Sequence, residues 1–473
     1  MLGVSKVGFV RRPRPFFGSV VLVAGILAWQ GASPALAINA PQTFIFTGSA
    51  QTYTVPAGVC SVTVDAFGAA GGPKLFTDFS SAGLGGEATA TLAVIPGETL
   101  QVNVGGAGKS ASGTAGGAGG FNGGADGGTI LTGSVSTGGS AGGGGASDVR
   151  RTPFTLADRL IVAGGGGGEA NTGYGGAGGG LIGGDGGVGV GLGTSGGGGG
   201  GGGTQSAGGA GGTGGTQSPY PPGMPGAPGT SGSGGRGGDA SSNAAPGAGG
   251  GGGYFGGGGG GGGANQSFGG AGGGGGGGGS GFGPASVTFL NGVRPGDGLI
   301  TITPGLACPK LATAATLTAT LGASISDVAT LSGGDTPTGA ITFQLFGPNN
   351  LTCTAPALFT STPTVVSGNG SYQSDAFTPL AVGTYLWVAS YSGDANNKPA
   401  ATACNDAGET STITAAVCQE ADGNGDIHSE KRKGRVDKNH ERCDDNQGEN
   451  VDSSDRAQGG DILNLPGGSI ALN

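Results

Sequence analysis

"TQSAGGAGGTGGTQ", residues 204–217, decides how this chain is read. Ala207, Ala210, Thr213 and Thr216 recur at every third position, and glycine fills the two positions between them. An α-helix repeats in about 3.6 residues and a strand alternates in about 2, so neither has this period. The polyproline-II helix does, with about three residues per turn and a rise of about 3.1 Å per residue. A glycine version carries no side chain on two of its three faces. Neighbouring helices can then approach closely and exchange backbone hydrogen bonds.

The same spacing recurs elsewhere. It separates Ile182, Asp185 and Val188 in "LIGGDGGV", Arg236 and Asp239 in "RGGD", and Ala115, Ala118 and Phe121 in "AGGAGGF". The prolines of "PPGMPGAPG" (Pro221–Gly229) favour the same extended backbone. That stretch is too short and too irregular for a collagen triple helix. A flexible linker is the competing reading. Linkers are usually rich in Ser, Glu, Lys or Pro. From Leu160 to Gly283 the only charges are Glu169, Asp185, Arg236 and Asp239, while Tyr174, Leu181, Tyr254, Phe255, Phe268 and Phe282 punctuate the glycines. Such apolar punctuation suits a packed object. Ordering each residue costs about 1–2 kcal/mol, and a backbone hydrogen bond returns about 0.5–1.5 kcal/mol net. A glycine array therefore needs a scaffold that fixes its ends.

The flanks supply one. "TFIFTG", "QTYTV", "CSVTVDAF", "EATATLAVI" and "LQVNV" have strand character between Thr43 and Val104, and "SDVRR" and "RLIVA" interrupt the glycines as two more strands. "GLITITP" (Gly298–Pro304) closes this β-sandwich after the insertion. From Leu317 to Ala415, short strands such as "GAITFQLFG" and "GTYLWVASYSG" alternate with the turn clusters "GPNN", "SGNG" and "GDANN". That is the pattern of an immunoglobulin-like sandwich, with Tyr385 and Trp387 as core and corner residues.

The fold class expected is mainly β. Residues 1–37 read as a signal peptide: Lys6, Arg11, Arg12 and Arg14 precede the apolar run Phe16–Trp29 and the small-residue site "ALA". Residues 38–308 form the glycine-rich sandwich module, with the polyglycine insertion over about 105–283. Residues 309–416 form the immunoglobulin-like module, and 417–473 a charged, disordered tail. With 121 glycines in 473 residues and 20 basic against 29 acidic side chains, nothing points to nucleic acid. No membrane span is expected once the leader is removed, and the chain is expected to be secreted or extracellular, with cell-surface association open.

All six cysteines follow the leader, which implies disulfides in an exported protein. Chain order suggests Cys60–Cys308, Cys353–Cys404 and Cys418–Cys443. The middle pair is the firm expectation and the remaining connectivity is open.

"VPAGVCSVTVDAFGAAGG", "GETLQVNVGGAG", "GGGGASDVRR…RLIVAGGGGG", "GGGGGYFGGGGG" and "GLITITP" together resemble the extracellular glycine-rich region of the anaplastic lymphoma kinase and leukocyte tyrosine kinase receptors. The resemblance covers roughly residues 42–304 and rests on motif order. It implies a tumour-necrosis-factor-like sandwich holding a bundle of polyglycine-II helices, which in that family binds small protein ligands. Receptor signalling does not carry over, because no transmembrane helix or kinase domain is read here. "GAITFQLFGP…LTC…GNGSY…GTYLWVASYSGDANN" resembles bacterial immunoglobulin-like repeats of surface proteins.

Chemical motifs are sparse. "VNVGGAGKS" (Val102–Ser110) imitates a phosphate loop, but Asn103 stands where its first glycine belongs, and the glycine-rich sequence after Ser110 is a poor helix former. Asp422, Asn424 and Asp426 alternate like calcium ligands, yet Ile427 replaces the loop glycine and Lys433 the bidentate glutamate. Calcium is thus a weak candidate there, and no other cofactor is expected. Cys418, His428, His440 and Cys443 have irregular spacing for zinc. The chain's only two histidines lie in the tail, so histidine-based catalysis is not expected in the sandwiches.

The expected role is non-enzymatic: an exported structural or adhesive protein whose partner is an extracellular protein or a cell-wall polysaccharide. Ice binding through flat polyglycine faces is the alternative, and a secreted hydrolase ranks third.

Overall fold

The computed structural model describes residues 40–416, apart from 75–80, 132–137, 241–242, 267–268 and 355. The chain is almost entirely β and extended backbone. The one helical segment among the described residues is the short 3-10 turn Leu156–Asp158.

Two sheets make the first sandwich. One contains β1 (Gln42–Ile45), β3 (Ser61–Phe67), β4 (Gly85–Ala93), β10 (Thr288–Arg294) and β11 (Leu299–Pro304), in the order β1-β11-β3-β4-β10. The other has the order β2-β5-β6-β7, from β2 (Gln51–Thr54), β5 (Thr99–Asn103), β6 (Ser147–Arg150) and β7 (Arg159–Ala163). Alternation places Val62, Val64 and Ala66 of β3 inward, where they meet Leu100, Val102, Val149 and Ile161 from the facing sheet. The sequence pattern marked one strand after the insertion. There are two, because β10 also returns to pair antiparallel with β4.

Between these strands the chain runs back and forth in extended glycine tracts. A two-stranded ribbon of β8 (Asn265–Gln266) and β9 (Gly269–Gly270) turns the chain between the last two. Partners rotate with period three. In the tract 256–263, Gly257 and Gly260 donate to Gly251 and Ala248, Gly258 and Gly261 to Gly201 and Gly198, and Gly259 and Gly262 to Ala227 and Met224. Its carbonyls accept from three further tracts: Gly256 and Gly259 from Gly209 and Gly212, Gly257 and Gly260 from Gly235 and Gly238, and Gly258 and Gly261 from Gly277 and Gly274. The tract is therefore ringed by six neighbours, the hexagonal arrangement that about three residues per turn permits. The tracts around Gly249 and Gly276 are ringed in the same way. A Cβ on Gly258 would lie 2.0 Å from the Ala210 carbonyl oxygen, and one on Gly261 2.0 Å from that of Thr213.

The sandwich feeds directly into the bundle. β3, β5 and β7 continue into tracts 68–72, 104–109 and 164–168, and tract 139–146 leads into β6. Gly68 extends the β3–β4 ladder by donating to Gly86 at 2.9 Å, and Gly86 donates across to Gly164 at 2.9 Å.

The second sandwich also has two sheets. β12 (Lys310–Ala315), β14 (Asp327–Ser332) and β18 (Gly370–Gln373) form one. β13 (Thr318–Thr320), β15 (Ala340–Phe346), β16 (Phe359–Thr360), β19 (Gly383–Tyr391) and β21 (Thr410–Thr414) form the other, with β17 (Thr364–Val365) and β20 (Ala400–Ala401) beside β15 and β19. Trp387 is fully buried, and the Tyr385 hydroxyl donates to the Ala381 carbonyl at 2.9 Å. The modules abut at Ala307, whose amide donates to Asn396 and whose carbonyl accepts from Lys398, both at 2.8 Å. Gly58 sits in that junction at φ +82°, in the left-handed region that favours glycine, and a Cβ there would be 2.3 Å from the Gly333 oxygen.

Gly258→Ala should destabilise the full chain by at least about 3 kcal/mol or prevent folding, because the carbonyl it strikes belongs to backbone. Exposed Ala210→Ser on the neighbouring tract should stay within about 0.5 kcal/mol. Denaturant unfolding, with amide exchange over 256–263, checks both. Exchange as fast as in an unstructured peptide would contradict the lattice.

Candidate binding surface

On the outer tracts the residue that breaks a glycine triplet points outward, and its identity varies around the bundle. In several places it is an aspartate that caps a neighbouring tract. Asp185 Oδ1 accepts from the Gly202 amide and Asp126 Oδ1 from the Gly119 amide, each at 2.8 Å. Asp297, Asn291 and Thr172 cap Ala107, Gly180 and Val190 in the same way, each at 2.8 Å. Asp239 is the most heavily bonded cap. Its Oδ1 accepts from the Thr129 amide and hydroxyl at 2.8 Å each and from Arg236 Nη2 at 2.7 Å. Burial raises its pKa, but the bonds from Arg236 and Thr129 outweigh burial and hold it below the usual carboxylate range.

Elsewhere the outward residues are apolar. Tyr174, Leu181, Ile182, Val188, Val190 and Leu192 are each 60–70% exposed. Ile182 and Val188 share the outer face of tract 182–190. The Tyr174 ring lies over Gly187, where a Cβ would be 2.5 Å from it. Together they make an apolar ridge along one edge of the bundle, with the polar Asp185 and Thr172 set into it. Tract 196–203 lies beside this ridge, and tract 207–216 beside that, all three in one row over tracts 256–263 and 271–279. Ala207, Ala210, Thr213 and Thr216 are exposed along the far side of the row.

The charges inside the first module are absorbed by structure. Buried Asp148 bridges Arg150 at 2.7 Å and accepts from Asn103 and Asn122. Arg159 donates to the Gly253 and Tyr254 carbonyls at 2.9 and 3.1 Å and lies 4.9 Å from the Tyr254 ring centroid, so it clamps sandwich to bundle. Lys109 and Ser110, in the loop that imitates a phosphate site, lead into no helix; the Lys109 amide donates to the Ala118 carbonyl inside the bundle.

Cys60–Cys308 and Cys353–Cys404 are disulfides, the first joining the residue before β3 to the module junction. Asp422, Asn424, Asp426, Cys418, Cys443, His428 and His440 lie outside the described residues. Among the described residues no group of three or more His, Cys, Asp or Glu is placed to hold a metal ion, and no helix is long and apolar enough to cross a membrane. The sequence identified the outward positions Ile182, Asp185, Val188 and Ala207–Thr216, but not their union in one row. That row depends on which tracts are neighbours, and identical glycines carry no such signal. No family model matches the chain, and no curated protein matches it.

Asp239→Ala should lower stability by about 1–3 kcal/mol by orphaning the Thr129 amide. Because the folded pKa of Asp239 is depressed, its contribution is present above the unfolded value of about 3.9 and lost as pH falls through the folded value. Unfolding curves across an acid pH series should show that loss in the parent chain and a smaller one in the variant.

Proposed function

We propose that this chain is an exported, non-catalytic structural or adhesive protein that presents a rigid binding surface outside the cell. The observation that carries this reading is the apolar ridge of Tyr174, Leu181, Ile182, Val188, Val190 and Leu192. Contiguous exposed apolar surface on a folded protein marks an interaction site, and here it stands on a lattice whose backbone bonds leave it no freedom to collapse. Binding then costs little ordering of the surface. The two disulfides suit an oxidising compartment. We read the first sandwich as tumour-necrosis-factor-like and the second as immunoglobulin-like, the latter acting as the spacer that holds the bundle out. The partner is an extracellular protein or a wall polysaccharide with an apolar face. Retention of the full chain on the surface of the cells that produce it should fall on the order of tenfold in Ile182→Asp/Val188→Asp, the factor that about 1.4 kcal/mol represents. Thr213→Asp, on the far side of the row, should retain wild-type binding. Equal retention of all three proteins would remove the ridge from this role and the reading with it.

A second reading rests on the row itself. Ala210, Thr213 and Thr216 repeat at about 9 Å along a straight tract, from a rise of about 3.1 Å per residue, and they carry small, exposed side chains on a flat support. A surface of that kind can order water, which is what ice binding requires. The parent chain should then show thermal hysteresis that Ala210→Tyr/Thr213→Tyr abolishes. A parent chain with no hysteresis ends this second reading.

A further inference from the structure

The second sandwich buries two carboxylates that neither the bundle nor the ridge uses. Asp327 opens β14 directly opposite Ala315 of β12. Strand alternation turns Asp327, Ala329 and Leu331 inward, together with Thr313 and Ala315 of β12. Glu409 directly precedes β21. Its carbonyl accepts from the Trp387 amide at 2.8 Å, and the Gly408 carbonyl beside it accepts from the Ala315 amide at 2.8 Å. Ala315 thus touches both acid-bearing segments, and the acids lie at one end of the same core. Both are fully buried.

Their bonding is incomplete. The Thr313 hydroxyl donates to Glu409 Oε1. Neither oxygen of Asp327 has a hydrogen-bond partner, and nor has Glu409 Oε2. The ion pairs among the described residues all lie in the first module, so no basic side chain neutralises either acid. Burial, and then the charge of Glu409, push the Asp327 carboxyl up to about 7, an effect that the nearby Val328 and Ala314 amides only partly oppose. Burial raises Glu409 as well. A buried carboxylate left alone costs several kcal/mol, roughly, so something must partner these two.

Two partners are chemically available, a proton on each acid or a cation between them. Protons remove the charge but leave Asp327 Oδ1 and Oδ2 and Glu409 Oε2 without a protein partner. The two acids interact through charge but do not hydrogen-bond to one another. A cation holding each oxygen at about 2.3–2.6 Å spans carboxylates that stand apart. The donors are all oxygen, which suits a hard ion rather than zinc or copper. Two carboxylates balance one divalent charge. We propose that Asp327, Glu409 and Thr313 form an internal site for one divalent hard cation of the Ca²⁺ class, taken up as the second sandwich folds. The site uses none of Asp422, Asn424 and Asp426, and it is independent of the ridge.

The test unfolds the full chain in chelator and refolds it with or without Ca²⁺, then measures bound calcium and thermal unfolding. One equivalent should be retained after desalting, with unfolding shifted upward by Ca²⁺. Asp422→Asn/Asp426→Asn should keep that equivalent, and Asp327→Asn/Glu409→Gln should lose it along with the Ca²⁺-dependent shift. Should the double variant fail to fold, Thr313→Val keeps both carboxylates and should bind Ca²⁺ more weakly than the parent. Calcium content equal in parent and Thr313→Val, with no Ca²⁺-dependent shift in either, overturns the site. So does a parent chain that binds no calcium and instead loses stability as pH rises through about 7, which is the behaviour of buried acids held protonated.

Discussion

Everything in the first module depends on amide-to-carbonyl bonds between tracts packed so closely that only hydrogen fits as a side chain. An added Cβ on Gly250, Gly260 or Gly277 would stand 2.0–2.1 Å from a neighbouring carbonyl oxygen. Glycine here is therefore a steric requirement of contact, the opposite of the freedom it gives a linker. The usual source of cohesion, apolar area removed from water, is confined to the sandwich. The bundle coheres through its backbone, with a few rings such as the stacked Tyr254 and Phe282, 4.3 Å apart, sealing its base.

Such a lattice closes only if its tracts start in register, and the sandwich provides this. The β3–β4 pairing of Phe67 with Glu87 sets Gly68 opposite Gly86, and the β6–β7 pairing of Ser147 with Ala163 aligns tract 139–146 with tract 164–168. Buried Arg159 and Asp148 then tie strand ends to Gly253, Tyr254 and Asn122 inside the bundle. Because loop-closure entropy grows only slowly with length, a long insertion is tolerable once its seeds are fixed. The order of events this implies is sheet pairing before bundle assembly.

Local periodicity was readable and neighbourhood was not. The period of three marked Ala207, Ala210, Thr213 and Thr216 as one face because a single tract carries that information. The ring of six around Gly256–Gly263 is assembled from tracts tens of residues apart whose sequences are interchangeable. β10 escaped because "TFLNGVR" alternates weakly around Gly292, and β12 because "KLATAA" is alanine-rich and lacks the β-branched signal. Nothing in the sequence around Asp327 and Glu409 signals their burial. Their burial follows from the pairing of β12 with β14 and from the β19–β21 ladder, both long-range events. The aspartate caps were equally hidden, since Asp185 precedes the amide it serves, Gly202, by a full turn of the chain between tracts.

Those caps give the ridge its meaning. Tracts 182–190 and 196–203 run antiparallel, and Gly183, Gly186 and Gly189 donate to Gly203, Gly200 and Gly197. In that register Asp185 faces Gly202 and caps its amide. One turn on, Val188 faces Gly199 in the equivalent place, and Val188 has no acceptor to offer. An aspartate at 188 would satisfy that amide and improve solubility, as it does at 185 and at 126. The lattice thus accepts a polar residue at this position on purely local grounds, and valine there works against both hydrogen bonding and solvation. Local stability does not account for Val188, nor for Ile182, Val190 and Leu192 beside it. The binding surface proposed for this edge would use all four.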